Sequence, residues 1–306
     1  MSKVAHEAPR SLRTLWVTPR KEGGDNRMDG TIFDTITSEE RLREAWLRVK
    51  RNKGVAGVDH VSIAAFDGNL AANLARVRDL LRSGHYRPKR LFRVQMAKPS
   101  GGVREIGIPC VTDRVAQAAV ALVFDELFDP VMSDASFAYR RNRSVEHAIG
   151  RITTYRLWGF EWLVDGDIAV YFDSILHSAL RQQLHDLAAC ERTLKLIDRW
   201  LVRFSKNGIG LAQGSPLSPF LANLYLTPID HAIHSRRVRL IRYSDDFILM
   251  TKSQGAAEWA KLRMASLLAG RGLRLSEEKT SVKRFSAGVE FLGYRFTTNG
   301  RSVTRI

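Results

Sequence analysis

The chain has 306 residues, of which 44% are hydrophobic and 26% charged, and its formal net charge is +16. Such a composition is typical of a globular protein that buries a full core. No run reaches the ~18 apolar residues of a membrane span, and the N-terminus has no apolar signal core. We therefore expect a cytoplasmic protein, and the two cysteines, which have no metal-binding spacing, fit a reducing compartment. The positive charge predicts a polyanionic partner, either a nucleic acid or an anionic membrane surface.

The N-terminal third is predicted to be a basic arm followed by helices. Residues 1–28 form the arm, because prolines and glycines interrupt any periodicity. A helix capped by Ser38 follows, and residues 63–83 are predicted to form a second amphipathic helix. Between the two helices, the basic and glycine-rich residues 51–59 form either a helix C-cap with a loop or a template contact.

Residues 92–109 are predicted to form a β-hairpin around the turn Ser100-Gly101-Gly102. This turn places Lys98 and Arg104 opposite each other. Two such cations can close on a triphosphate, since arginine offers bidentate geometry and lysine a point charge. The alternative is a surface hairpin with ordinary solvated charges.

Helical periodicity predicts three long helices, over residues 112–128, 177–204 and 256–269. The first begins with Asp113-Arg114, which we interpret as a capping acid beside a surface ion pair. His177 and His185 in the second helix have no partner at metal-ligand spacing and are expected to be structural. The third helix is predicted to be clearly amphipathic.

Residues 136–144 combine Arg140 and Arg143 with Phe137 and Tyr139. The cluster suits a nucleic-acid strand, with the arginines on phosphates and the rings packed on bases or sugars. The alternative is that both rings belong to the core and that only the arginines face solvent.

Paired carboxylates are predicted at the tip of a second hairpin. Residues 240–251 have apolar, β-rich runs on both sides of Ser244-Asp245-Asp246. Adjacent acids repel each other unless a cation lies between them, and Mg²⁺ suits this position because it binds one or two carboxylates together with substrate phosphates. A solvated Asp-Asp turn is the alternative, but a second apolar strand, residues 162–174, carries Asp167 and could bring a third acid to the same place.

Several motifs resemble those of reverse transcriptases. Tyr243-Ser244-Asp245-Asp246 resembles the Tyr-x-Asp-Asp box, and Gly166-Asp167-Ile168 with Phe172-Asp173 resembles the first catalytic strand. Between them, residues 210–219 resemble the Pro-Gln-Gly-x-x-x-Ser-Pro segment of the group II intron type. Residues 98–104 are similar to the Lys-Pro-x-Gly-x-x-Arg hairpin of the fingers, and residues 289–294 to the Phe-Leu-Gly closing strand. The chain thus resembles a bacterial reverse transcriptase of the group II intron-like type over about residues 38–296.

The resemblance implies an α+β fold, namely a right-hand polymerase palm, an antiparallel sheet backed by helices, with a fingers subdomain and no recognisable thumb. The implied domains are 1–28 as the basic arm, 29–120 as fingers, 121–175 as palm with the first catalytic strand, 176–208 as a fingers helix insertion, and 209–306 as palm with the Tyr-Ser-Asp-Asp hairpin and the closing strand. A strand is also predicted over residues 274–276.

The implied activity is that of an RNA-directed DNA polymerase, which adds deoxynucleotides to a primer 3′ end by two-metal-ion catalysis. The implied cofactors are two Mg²⁺ ions, for which Mn²⁺ can substitute. The catalytic residues would be Asp167, Asp245 and Asp246, and the metal ligands these three acids with the carbonyl of Ile168. The nucleotide-binding residues would be Lys98, Arg104, Phe172, Gln213 and Lys279, and the nucleic-acid-binding residues Arg140 and Arg143.

Three of these roles are specific. Phe172 would lie under the sugar and exclude a 2′-hydroxyl, and Gln213 would contact the incoming nucleotide or the templating base. Lys279 would protonate the leaving pyrophosphate or be an ordinary exposed lysine. Simple strand alternation puts Asp167 and Phe172 on opposite faces, so the strand must bend between them, at the small Ala169, and turn Tyr171 toward the core.

The implied partners are an RNA template with a DNA or RNA primer and deoxynucleoside triphosphates, with no membrane. A second protein that supplies a thumb-like or integrase function is left open. The short chain fits relatives attached to CRISPR spacer acquisition and free-standing enzymes of antiviral defence. Two alternatives stay open: untemplated or protein-primed DNA synthesis in phage defence, and a catalytically silent nucleic-acid-binding scaffold for a partner protein.

Overall fold

A computed structural model describes residues 27–97, 101–187, 190–205, 207–296 and 303–305. The predicted arm lies outside them apart from residues 27 and 28, and so does Lys98. The helices are α1 (Arg27–Ile36), α2 (Glu39–Arg51), α3 (Ile63–Asp67), α4 (Leu70–Arg82), α5 (Val111–Phe128), α6 (Val145–Leu157), α7 (Tyr171–Ser174), α8 (His177–Asp186), α9 (Glu191–Phe204), α10 (Ser218–Ile233) and α11 (Gln254–Ala269). The strands are β1 (Phe92–Ala97), β2 (Val103–Ile108), β3 (Trp162–Asp167), β4 (Arg239–Tyr243), β5 (Asp246–Thr251), β6 (Ser281–Arg284), β7 (Val289–Phe291), β8 (Tyr294–Phe296) and β9 (Val303–Arg305). None of the described helices is long and apolar enough to span a membrane.

The central sheet is antiparallel, with the strand order β4-β5-β3-β6. Its strands alternate between two cores, because successive side chains of a strand point to opposite faces. Val164, Leu240 and Leu249 belong to the large core, to which α10 and α11 also contribute. Leu163 and Ile241 belong to a second core that includes residues of α6. This covered sheet confirms the predicted palm architecture.

The helices α1, α2, α4 and α10 pack against α5, which is buried along nearly its whole length. An α-helix that is apolar all round is stable only in such a central position. The predicted boundary between fingers and palm at residues 120 and 121 falls inside this continuous helix. Residues on both sides of it, such as Ala119 and Val123, belong to the same large core. The division into domains stays a prediction, but no break in the chain marks it here.

Two helices predicted as continuous are interrupted. The helix predicted over residues 63–83 is divided into α3 and α4, because Gly68 ends the first and Asn69 leaves the helical conformation. The helix predicted over residues 177–204 is divided into α8 and α9. These two helices bury their apolar faces against different partners, α10 and α1 respectively. One straight helix cannot meet both.

Three smaller predictions are also wrong. Residues 274–276 are not a strand, since Leu275 makes only an isolated bridge to Ile168. The predicted closing strand is a hairpin, in which Leu292 and Gly293, with φ of 52° and 76°, reverse the chain between β7 and β8. The helix α11 is not cleanly amphipathic, because Trp259 and Leu262 are exposed on it.

Candidate active site

Three carboxylates meet at one end of the central sheet. Asp167 is the last residue of β3 and lies directly opposite Asp246, the first residue of β5. Asp245 is in the two-residue turn between β4 and β5, where Ser244 has the left-handed φ of 63°. The amide of Ile168 donates a hydrogen bond to the carbonyl of Asp245 over 3.3 Å, which ties this turn to the end of β3. The structure therefore brings together the three acids that the sequence motifs single out.

Burial and crowding raise the pKa of two of these acids, Asp246 and Asp245. Partial burial, together with repulsion from Asp245 and Asp167, raises the pKa of Asp246 to about 7. Burial and the charge of Asp167 also raise the pKa of Asp245. A site that resists holding its own negative charges favours a bound cation.

Lys279 supplies a cation at this site. Its Nζ donates a hydrogen bond to Oδ2 of Asp167 over 2.8 Å, although 63% of the side chain is exposed. This hydrogen bond, followed by the charges of the surrounding acids, raises the pKa of Lys279. The ammonium group neutralises part of the charge that the three carboxylates create.

The donor set fits a hard divalent cation. Within the described part of the chain, no three His, Cys, Asp or Glu side chains are grouped to hold a metal ion by themselves. Mg²⁺ does not need such a cage, since one or two carboxylates and the substrate phosphates serve it. The N–H of Ile168 points toward Asp245. The carbonyl of Ile168 stays a predicted further ligand.

A buried network that the sequence motifs do not predict holds the turn between β4 and β5. The guanidinium of Arg242 forms two hydrogen bonds to the carboxylate of Asp230, over 2.8 and 2.6 Å, and both side chains are buried. It also donates to Oδ1 of Asn223 over 3.0 Å and to the carbonyl of Ser244 over 2.9 Å. The last bond fixes the strained residue beside Asp245. Two features of the sequence could have indicated this network: Arg242 lies within an apolar strand, and Asp230 lies within an apolar helix.

The strand bends between Asp167 and Phe172, as predicted, but at Val170 rather than at Ala169. Val170 has the left-handed φ of 48° and α7 begins directly after it. Tyr171 is buried and donates a hydrogen bond to the carbonyl of Ala222, which confirms its predicted turn toward the core. The side chain of Phe172 is partly buried and packs against the large core.

Gln213 lies on a segment that joins Phe172 to the β1–β2 hairpin. The amide of Leu211 donates to the carbonyl of Phe172 over 2.8 Å, and the amide of Gly107 donates to the carbonyl of Gln213 over 2.9 Å. The adjacent Gly214 has φ of 124°, and a Cβ there would lie 2.8 Å from the Gly107 carbonyl. This close approach places Gln213 between β2 and α7.

Arg104 is exposed on β2, opposite Met96. It shares a strand face with Ile106, whose side chain approaches Gly214. Arg104 is thus on the side of the hairpin that faces the segment with Gln213. Its predicted companion Lys98 lies outside the described residues.

The prediction that Arg140 binds nucleic acid is wrong. Its guanidinium is buried, forms a salt bridge of 2.7 Å with Asp129 and donates to the carbonyls of Ser133 and Ser136. The buried guanidinium is thereby withdrawn from the surface that a phosphate could reach. Arg143 is also occupied, since it donates to the side chain of Asp134 over 2.7 Å.

The two aromatic residues of the same segment separate. Phe137 belongs to the second core, whereas Tyr139 is exposed and has φ of 59°. Phe137 therefore fits the alternative in which the rings belong to the core, whereas Tyr139 is exposed, as the alternative with a nucleic-acid strand requires. His177, in agreement with its predicted structural role, is buried, with its Nε2 2.7 Å from the Gly210 carbonyl.

The interpretation of Asp113-Arg114 as a cap with a surface ion pair is also wrong. Asp113 is buried, accepts hydrogen bonds from the Tyr86 hydroxyl and the Lys89 amide, and has its pKa raised to about 6 by burial. Arg114 is buried and donates to the Val55 carbonyl. A Cβ on Gly54 would collide with this guanidinium, and one on Gly57 with Cys110, so the glycines of residues 51–59 serve close packing against the start of α5.

Comparisons with known proteins agree with this geometry. The sequence profile described as reverse transcriptase (RNA-dependent DNA polymerase) matches residues 96–296. Protein YkfC of Escherichia coli (strain K12) is 30% identical over 86% of this chain and 82% of its own length. The group II intron-encoded protein LtrA of Lactococcus lactis subsp. cremoris is 26% identical over 82% of this chain; the match spans 54% of LtrA, about half its length.

A solved structure shares the fold at low sequence identity. Telomerase from Candida albicans, in a complex with a fragment of telomeric RNA, superimposes with a TM-score of 0.55 at 13% identity. The superposition covers 80% of this chain and 50% of the telomerase chain.

Proposed function

Because the chain belongs to the reverse transcriptase family and is an RNA-directed DNA polymerase, we propose that it extends a primer 3′ end with deoxynucleotides at the Asp167, Asp245 and Asp246 cluster. The meeting of these three carboxylates at one end of the sheet, with the pKa of Asp246 raised to about 7, carries the proposal. Isolated surface aspartates have no reason to be brought together at such an electrostatic cost. Binding of divalent cations and a triphosphate offsets this cost.

We assign the metal-binding role to Asp167, Asp245 and the carbonyl of Ile168, with Asp246 completing the negative charge of the cluster. Two Mg²⁺ ions bound there would supply a lowered pKa of the primer 3′-hydroxyl and stabilisation of the leaving oxygen. The hairpin turn, held by Arg242, keeps the carboxylate of Asp245 beside that of Asp167. Lys279 must leave Asp167 when a cation binds, and its exposed ammonium is then free to meet the pyrophosphate.

In this proposal, Phe172 and the adjoining residues 211–213 form the floor of the nucleotide site. The ring of Phe172 lies under the sugar and leaves no room for a 2′-hydroxyl. Gln213, held between β2 and α7, contacts the incoming nucleotide or the templating base. Arg104 approaches the triphosphate from the β1–β2 hairpin, and its fork of donors matches phosphate oxygens. The template is RNA and the primer DNA or RNA.

Templated synthesis is tested with homopolymer RNA templates, each supplied with the four deoxynucleotides separately. We expect each template to direct incorporation of its complementary nucleotide alone. The Asp167→Asn variant, which should fold as the unaltered protein does, measures the background incorporation. Equal incorporation of all four nucleotides on every template would establish untemplated synthesis instead, and binding without any incorporation would establish a silent scaffold.

The position of Phe172 is tested by Phe172→Ala. Loss of the ring should leave the fold intact and let ribonucleotides compete with deoxynucleotides in primer extension. The matched control is Tyr171→Ala, since this neighbouring ring is fully buried and its removal should cost about 3–5 kcal/mol of unfolding free energy. Unchanged sugar discrimination in a folded Phe172→Ala variant would assign the gate to another residue.

A further inference from the structure

The end of the central sheet that lies away from the carboxylates carries a group of cations and aromatic rings. The strands β3 and β4 begin there and β5 ends there, so Trp162, Arg239 and Thr251 are neighbours at this end. Five strand steps separate Trp162 from Asp167, which is roughly 17 Å. The C-terminus of α6 reaches the same end. We call residues Leu157, Trp158, Arg236, Arg237, Arg239 and Lys252 the distal surface.

Two large apolar side chains of the distal surface are open to solvent. Leu157 is 71% exposed and Trp158 is 53% exposed. A single exposed apolar residue needs no explanation. An exposed tryptophan is informative when charged groups are ordered around it, and this is the case here.

Arg239 is stacked among three aromatic rings. Its guanidinium carbon lies 5.4 Å from the ring centre of Tyr155, 5.8 Å from that of Trp158 and 5.6 Å from that of Phe160. Such cation–π contacts hold an arginine in place without neutralising its charge. Its Nε is buried and has no hydrogen-bond partner among the described residues.

Further cations surround this stack. The ammonium of Lys252 lies 5.3 Å from the ring centre of Phe160, and Arg236 and Arg237 are exposed in the turn before β4. Within the described ranges, these cations and Arg239 form no salt bridge, whereas the nearby Glu161 is 3.7 Å from Arg284. The distal surface thus has an excess of positive charge around an exposed indole ring.

We propose that the distal surface binds a single-stranded segment of RNA that lies outside the primer–template duplex. Single-stranded nucleic acid is bound where bases stack on aromatic rings and cations follow the phosphates. Trp158 offers the ring, and Arg236, Arg237 and Lys252 offer the charges, to which the fixed Arg239 adds another. Two exposed apolar residues are too few to insert into a membrane. The proposal rests on the RNA-directed activity proposed above and adds a second RNA contact to it.

The test is binding of a labelled, unstructured RNA of about 16 nucleotides, measured by fluorescence anisotropy. We expect Trp158→Ala to weaken binding roughly 5- to 150-fold, the loss of one base–aromatic stack. The double variant Arg236→Glu with Arg237→Glu should weaken it further and make it less dependent on salt. Extension of a short duplex without a single-stranded overhang beyond the copied bases should be unchanged in both.

Matched controls carry the same changes elsewhere. Trp259→Ala removes an indole ring that is 58% exposed on α11, and Arg43→Glu with Arg76→Glu reverses two exposed charges on α2 and α4. Both controls should bind the RNA as the unaltered protein does, and melting temperatures of all variants confirm folding. Equal losses in the controls, or unchanged binding in Trp158→Ala, would overturn the proposal.

A third outcome would replace RNA by a membrane. If Trp158→Ala loses binding to vesicles that contain phosphatidylglycerol but keeps its affinity for RNA, the distal surface is a lipid contact and the proposal is wrong. The binding assay contains no nucleotides and no extension step. It therefore measures RNA binding at the distal surface even if the proposed templated synthesis is wrong.

Discussion

Two hairpins carry the predicted site residues, and they differ in nearly every physical respect. The catalytic hairpin, β4–β5, is buried on both faces and carries Asp245 and Asp246 at its tip. The β1–β2 hairpin forms a separate two-stranded sheet, and most of its side chains are exposed. It carries Arg104. The same supersecondary motif therefore occurs once as a buried, fixed hairpin and once as an exposed hairpin.

This difference matches what each hairpin has to do. Carboxylates that bind metal ions, as we propose for the β4–β5 hairpin, must be held within about 0.5 Å of their working positions, and burial together with the Arg242 network supports this. An isolated two-stranded hairpin is marginally stable, and segments with few buried contacts open at low free-energy cost. The contact that we propose between Arg104 and a triphosphate would therefore lie on the less buried of the two hairpins.

The largest expected effect is on the chemistry of the fixed hairpin. Asp245→Asn should lower primer extension by at least roughly 10²–10³-fold, the cost of removing an electrostatic element from an active site. The melting temperature should not fall, because the change relieves the repulsion that raises the pKa of Asp246. The control Asp198→Asn alters an exposed carboxylate on α9 and should keep full activity. Full activity of Asp245→Asn in Mg²⁺ would contradict the assignment.

A second effect, on stability and not on the reaction rate, is expected inside the fixed hairpin. Arg242→Met leaves the carboxylate of Asp230 buried without its partner and should cost about 3–5 kcal/mol of unfolding free energy, measured by denaturant titration. The double variant with Asp230→Leu should recover much of this loss.

The control for this change is an ion pair on the same sheet that is not fully buried. Lys283 lies 2.8 Å from Asp165, and Lys283→Met should cost less than about 1 kcal/mol, as is usual for pairs that solvent reaches. If both single variants lose the same stability, the buried network does not have the supporting role assigned to it.

The smallest effect is expected from the exposed hairpin. Arg104→Ala should raise the KM for deoxynucleotides by roughly 10- to 100-fold, since a hydrogen bond to a charged group contributes about 1.5–3 kcal/mol. The free energy of unfolding should not change, because the side chain is exposed. Steady-state kinetics with Arg93→Ala as control, on the same hairpin but the opposite strand, separates a specific contact from a general charge effect. A destabilised Arg104→Ala variant would contradict the comparison.

Local patterns were sufficient to place the three acids together and to predict several elements. The apolar runs around Ser244-Asp245-Asp246 predicted a hairpin with acids at its tip, and the structure has it. The five-residue spacing from Asp167 to Phe172 required a bend, and the bend exists. Both features depend on neighbouring residues, so periodicity and turn chemistry determine them.

Other features depended on which surfaces meet. Helical periodicity could not show that α8 and α9 turn toward different partners, because each segment alone has an apolar face. The chemistry of an arginine also does not reveal its surroundings: Arg140 was predicted to face nucleic acid and is buried against Asp129, whereas Arg242 drew no attention and supports the catalytic turn.

By itself, the amino-acid sequence determined the polymerase class, the antiparallel palm and the three acids, because these follow from short motifs whose residues are close in the chain. Only the tertiary structure decided which cations are free to act. Arg140, Arg242 and Arg239 are chemically identical side chains, yet one is a structural ion pair, one holds the active-site turn and one is stacked among aromatic rings. The partners that decide this come from distant parts of the chain, and burial, not residue type, sets what each charge can do.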